Sequence, residues 1–144
     1  MHRSGKAHWL TIVGILSVVA IGALMLFARD SAGSSAGQFM TALGKGDVDT
    51  LTKLSYIEGV PSEEVRKKWE FTTDVGKHYM FRWRIVNITQ SDDKTAAATM
   101  QVTRNSAAAS GYEEKFQLPL VKIGDDWKVD VTAISRGLYP ALPR

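Results

Sequence analysis

The sequence predicts an α+β domain behind an N-terminal transmembrane helix, with two or three helices packed on one face of a curved, four-stranded antiparallel sheet of cone-like form. Three observations predict it. Residues 9–27 contain neither a charge nor a proline. From Phe39 to Val75 apolar residues recur at helical spacing. From about Tyr79 the period shortens to the alternation of strands, and the apolar parities of successive strands coincide when they are folded about their turns. The composition agrees, because 44% hydrophobic and 23% charged residues in 144 are the balance of one ordinary globular domain. The absence of cysteine excludes disulfides, thiolate zinc sites, iron–sulfur clusters, a cysteine nucleophile and a lipoprotein anchor.

Residues 1–8 read as a cytoplasmic tail and residues 9–27 as the span. A helix from Trp9 to Phe27 is about 28 Å long, close to the hydrocarbon thickness of a bilayer. Arg3 and Lys6 precede it, so the positive-inside rule places the N-terminus in the cytoplasm and the rest of the chain outside. The bland alternative is a cleaved signal peptide, but its apolar region runs about 7–15 residues, shorter than this one. The expected location is therefore the cell (inner) membrane, with an extracytoplasmic domain. Gly14, Ser17 and Gly22 would let two spans approach, as in a homodimer. Net charge is +3, most of it flanking the span. That pattern suits membrane topology better than phosphate binding, and no nucleic-acid partner is expected.

Residues 28–37, with Asp30-Ser-Ala-Gly-Ser-Ser-Ala-Gly37 at their heart, read as a flexible linker. The domain is placed at 38–135. Phe39, Met40 and Leu43 form a first helical stripe that Gly44–Gly46 stops. Asp47 and Asp49 head a second run through Leu51, Leu54 and Ile57, where they serve as cap and dipole partner. Pro61-Ser62-Glu63-Glu64 starts a third helix that turns Val65, Trp69 and Val75 inward.

Phe81, Trp83 and Ile85 then alternate with polar residues. Folding about Ser91–Lys94, with Ser91 opposite Lys94, sets Ile85 against Met100, Trp83 against Val102 and Arg84 against Gln101. Arg104–Gly111 reads as a loop. Phe116, Leu118 and Leu120 make a third strand in which Pro119 implies an edge or a bulge. A tight turn at Gly124-Asp125 sets Val129 against Leu120, Val131 against Leu118 and Ala133 against Phe116. Residues 136–144, with two prolines, read as an irregular tail.

Val121-Lys-Ile-Gly-Asp-Asp-Trp-Lys-Val-Asp130 resembles the final hairpin of the nuclear-transport-factor-2-like (cystatin-like, SnoaL-like) superfamily. Phe39-Met-Thr-Ala-Leu43 followed by Gly46-Asp47 resembles its first helix and break. The resemblance covers about residues 36–135 and is similar to the lumazine-binding-like domains of unknown function that follow a single membrane span. It implies a cone with an apolar pocket, which here would be lined by Trp69, Phe81, Trp83, Met100, Phe116 and Trp127. Members of the superfamily include isomerases, dehydratases, binding proteins and secretion scaffolds, so the fold leaves function open.

An enzyme of this kind needs an acid or a histidine in its pocket. Asp74 and His78, four apart, could share a helix face, but an exposed ion pair or a dipole-facing histidine explains them as well. Tyr56, Tyr79 and Tyr112 have no evident acidic partner, and Asp130 has polar parity. Asp92-Asp93 and Asp125-Asp126 are turn residues rather than metal ligands, Gly44–Asp47 lacks the spacing of a phosphate loop, and Asn87-Ile88-Thr89 lies mid-strand. Lys77, Arg82, Arg84 and Arg104 would meet anionic headgroups or an acidic partner if they gathered at one end of the sheet. The sequence thus predicts no catalytic, cofactor or metal residues. The expected protein is a single-span binding or scaffold domain with a protein partner or an apolar small ligand. The alternatives are a small isomerase- or dehydratase-type enzyme, and an envelope- or secretion-complex subunit.

Overall fold

A computed structural model describes residues 31–104 and 112–144. The cytoplasmic tail expected at 1–8, the span expected at 9–27 and all but Arg104 of the loop expected at Arg104–Gly111 lie outside them. Among the described residues no helix is long and apolar enough to cross a membrane. The elements are α1 (Ala32–Lys45), α2 (Val48–Leu54), β1 (Ser55–Tyr56), α3 (Ser62–Val75), β2 (Phe81–Gln90), β3 (Thr95–Arg104), β4 (Tyr112–Ile123), β5 (Asp126–Asp130) and a 3-10 turn at Val131–Ala133. The sheet is open and mixed, in the order β1-β5-β4-β3-β2. It therefore has five strands, not four. β1 runs parallel to β5, pairing Ser55 with Val129.

The linker reading fails at residues 32–37, which are the first half of α1. Ser31 caps the helix, its Oγ accepting from Ser34 N–H at 3.1 Å. The small residues serve close packing rather than flexibility. A Cβ at Gly33 would sit 2.4 Å from Ile88 Cδ1, so the bare helix surface lets α1 lie against the sheet. The helix runs through Gly44 and ends only at Gly46, whose φ of 69° is the left-handed stop.

α2 ends at Leu54, short of the expected Ile57. Ser55 Oγ donates to Leu51 O at 2.5 Å, and the chain then extends to add β1 to the sheet edge. On α3 the inward set is Val65, Trp69 and Thr72, and Val75 is 50% exposed. The period of 3.6 brings Thr72, not Val75, back under Trp69 and Val65.

The β2–β3 register holds where it was expected, with Trp83 opposite Val102, Arg84 opposite Gln101 and Ile85 opposite Met100. Nearer the turn it shifts by one, so that Gln90 faces Ala96. Two departures cancel. Asp92 Oδ1 accepts from both Lys94 N–H and Thr95 N–H, at 2.7 and 2.8 Å, and thereby sets a three-residue loop between Ser91 and Thr95. A bulge at Val86 then absorbs the extra residue.

Pro119 lies in an inner strand, not at an edge. Pairing of β4 with β5 stops at Leu120–Val129, one residue before it, so the ladder on that side asks nothing of the missing N–H. β5 ends at Asp130. The expected pairs Val131–Leu118 and Ala133–Phe116 do not form, because the chain turns at Val131 and leaves Ala133 exposed.

The core lies between α1–α3 and the inner face of the sheet. The tail is irregular, as expected, but it is buried: Leu138, Tyr139 and Leu142 are 0%, 4% and 7% exposed.

Candidate functional site

The six residues expected to line a pocket all belong to the helix-facing side of the sheet or to α3, and they separate into two groups. Trp69 and Met100 are wholly buried, and Phe116 is 9% exposed. Phe81 is half-buried and packs on the same core. None of these four lines any of the clefts formed by Trp83, Trp127 or the tail. Trp69 stands edge-on to Phe39 at 5.6 Å and donates from Nε1 to Ser55 Oγ at 2.8 Å. These four residues belong to the hydrophobic core or pack against it.

Trp83 and Trp127 border two surface clefts. Trp127 floors one of about 330 Å³ with Ser35, Gln38, Lys53, Leu54, Asp126 and Lys128. Its ring is nearly buried, and Lys122 Nζ lies 6.0 Å from the ring centre. Trp83 borders a shallow groove along α1, beside Gly37, Thr41 and Asp47.

The candidate acids and bases stay apart. α3 ends at Val75, so Asp74 and His78 share no helix face. Asp74 pairs with Lys77 at 3.9 Å, and His78 is exposed in the following turn. Asp47 caps α2, accepting from Thr50 N–H at 3.2 Å and Thr50 Oγ1–H at 2.7 Å. The side-chain bond first and the backbone bond second hold its pKa below the ordinary carboxylate value. Asp49 pairs with Arg66 and raises the arginine's pKa. Asp92 is lowered by the backbone N–H of Lys94 and by Thr95 in its turn. Asp130 accepts from Thr132 Oγ1–H at 3.2 Å. Among the described residues no group of three metal-ligating side chains forms.

Of the four cations, Arg82 is exposed and the other three have separate partners. Lys77 is held by Asp74, and Arg84 donates from Nε to Gln101 Oε1 at 2.8 Å on the outer face of the sheet. Arg104 bends over the Phe116 ring, 5.3 Å from its centre. There it bonds Gly137 O and lies 3.7 Å from Glu114 Oε2. Its buried Nε has no partner.

The most closely built aromatic arrangement is one the sequence reading missed. Tyr139, from the tail, sets its ring edge-on to Tyr79 at 5.3 Å and to Phe81 at 6.0 Å, and its hydroxyl donates to Gly76 O at 3.1 Å. Burial raises the pKa of both tyrosines. Four apolar residues among the five from Leu138 to Leu142 were the available signal.

No protein-family model matches the chain, and no curated protein does. Among solved structures, it is similar to a ketosteroid isomerase-like protein from Erwinia carotovora atroseptica. The identity is 13% and the TM-score 0.47, over 71% of this chain and 90% of that one. It is also similar to a nuclear-transport-factor-2-like protein of unknown function from Shewanella oneidensis, at 15% identity and TM-score 0.46, over 67% and 88%. The similar structures thus include nuclear-transport-factor-2-like ones. A SEC-C motif protein from Rhodopseudomonas palustris aligns at 9% identity and TM-score 0.46, over 72% and 88%. At these scores no residue role passes from them to this chain.

Proposed function

We propose that this chain is a single-span membrane protein whose domain works outside the cytoplasm as a non-catalytic binding or scaffold module. One observation carries the non-catalytic half. Among the described residues the buried side chains that carry polar atoms include the hydroxyls of Ser35, Ser55, Thr72 and Tyr139 and the indoles of Trp69 and Trp127, and no carboxylate, lysine or histidine is buried beside the apolar groups. Ser55 and Thr72 are already engaged, Ser55 with Leu51 O and Trp69, Thr72 with Ala141 O at 2.5 Å. An interior of this kind has nothing with which to move a proton near neutral pH.

The membrane half rests on the apolar run at 9–27, with its N-terminal cations. Since α1 begins at Ala32, four residues separate Phe27 from it. They reach about 14 Å at most, so the domain stands against the bilayer surface instead of roaming on a tether.

Two measurements test the reading. A reporter fused after Arg144 is expected to be active only if it works extracytoplasmically, and activity of a cytoplasm-only reporter overturns the topology. The full chain in detergent is expected to turn over neither ketosteroid-type nor small hydroxy-acid substrates. Turnover lost in an Asp47→Asn, Asp74→Asn, His78→Gln variant overturns the non-catalytic assignment.

A further inference from the structure

Residues 137–144 form a strap that closes the end of the domain between α3 and the start of β2. Its Leu138, Tyr139 and Leu142 are buried, but it belongs to no helix or strand. Apart from the turn bond of Leu138 N–H to Ser135 O, the hydrogen bonds that tie it down have a side chain at one end, and Arg144 supplies three of them, to Val131 O, Thr132 O and Ile134 O. Tyr139 donates to Gly76 O, Thr72 to Ala141 O, Lys68 Nζ to Arg144 O at 2.8 Å, and Arg104 to Gly137 O. No sheet ladder has to break for the strap to leave. Ala141 sits at φ 54°, a strained value for a residue with a Cβ, and undocking relieves it.

What the strap fills has a defined shape. Tyr79 and Phe81 stand edge-on to the phenol ring, and Gly76 O takes its hydroxyl. Gly76 is bare where the hydroxyl arrives, since a Cβ there would lie 2.1 Å from Tyr139 Oη. With the strap gone, the Arg104 donor now spent on Gly137 O is freed beside its unpartnered Nε. Glu114, 3.7 Å away, balances the charge, so a neutral carbonyl suits this pair better than a carboxylate. The approach is apolar as well. Phe71, Val75 and Met80 are 65%, 50% and 82% exposed, on α3 and on the chain leading into β2.

Resting on the binding-module reading above, we infer that this is a ligand site held shut in cis: Tyr139 is a displaceable plug, and the socket of Gly76, Tyr79, Phe81 and Arg104 takes a small hydroxyaryl compound bearing a carbonyl. The hydroxyl goes to Gly76 O, the ring against both Tyr79 and Phe81, and the carbonyl to Arg104. Binding releases the strap.

The test is hydrogen exchange on the full chain in detergent, with N-acetyl-tyrosinamide as probe and N-acetyl-phenylalaninamide as its hydroxyl-free control. Saturating probe is expected to speed exchange of the amides from Leu138 to Arg144 at least tenfold and to leave α1 unchanged. The control is expected to need roughly ten times more compound, the worth of one buried hydrogen bond. Tyr139→Phe, which keeps the ring and drops the plug's bond to Gly76, is expected to bind the probe several-fold more tightly than the wild type. No saturable effect in either protein overturns the inference, as does equal action of probe and control. Strap exchange that rises with protein concentration instead of with probe also overturns it, in favour of straps traded between copies. None of these outcomes touches the topology or turnover measurements, so the two readings fail separately.

Discussion

Trp69→Phe combined with Ser55→Ala probes the junction on which the helical layer depends. Trp69 is wholly buried on α3, and its indole N–H bonds Ser55 Oγ, which in turn donates to Leu51 O. The pair fastens α3 to the point where α2 gives way to β1. Ser55→Ala alone orphans a buried N–H, which costs about 1–3 kcal/mol. Trp69→Phe alone removes one hydrogen bond, about 1 kcal/mol, and leaves a void where the second ring stood, about 1–2 kcal/mol more. In the Trp69→Phe background Ser55→Ala leaves no orphaned donor, so its cost should fall below about 1 kcal/mol. The double variant is therefore expected to be more stable than the sum of the singles by about 1–2 kcal/mol. Urea titrations of the four proteins, compared at unchanged slope, measure this. Additivity within about 0.3 kcal/mol would refute the reasoning and place the indole nitrogen in contact with water instead.

The remaining predictions concern packing and pH. Trp127→Ala should cost about 3–5 kcal/mol by urea titration, because the ring is 6% exposed; a loss under about 1 kcal/mol would make it a surface aromatic. Gly76→Ala should cost about 1–3 kcal/mol and free the strap to proteolysis, since its Cβ meets the buried Tyr139 hydroxyl. Gly33→Ala should cost under about 1 kcal/mol, because the Ile88 methyl it meets belongs to a half-exposed, flexible side chain. Asp47 has a folded pKa below its unfolded value, so its contribution is present above the unfolded pKa and lost as pH falls through the folded one; Asp47→Asn should keep the cap and flatten that acid limb of a stability–pH curve. Tyr79 and Tyr139 shift the other way, so stability should fall as pH rises past 10.0, and Tyr139→Phe should reduce the fall.

The helix-to-strand order, the inner face of the sheet and the role of Asp47 were legible in the sequence because each rests on a local period or a local hydrogen bond. Apolar residues at i, i+3 and i+4 give a helix whatever lies against them, and alternating ones give a strand with a committed face. The register of β2 on β3 was legible over Trp83–Ile85 and illegible near the turn. A loop one residue longer and a bulge of one residue leave the same far-end pairing, so the hydrophobic pattern does not distinguish them. Only the tertiary structure decided the rest. Gly33 and Gly37 have the same composition in a tether as in a helix, and the burial of Ala32, Ser35 and Ala36 between and beside them selects the helix. Two residues, Ser55 and Tyr56, carry no period, and an open edge on β5 makes them a strand. The tail carries no regular signal at all. It is buried because α3 and β2 leave between them a gap that fits a tyrosine, and a gap between elements is a property of their packing that no single segment of sequence contains.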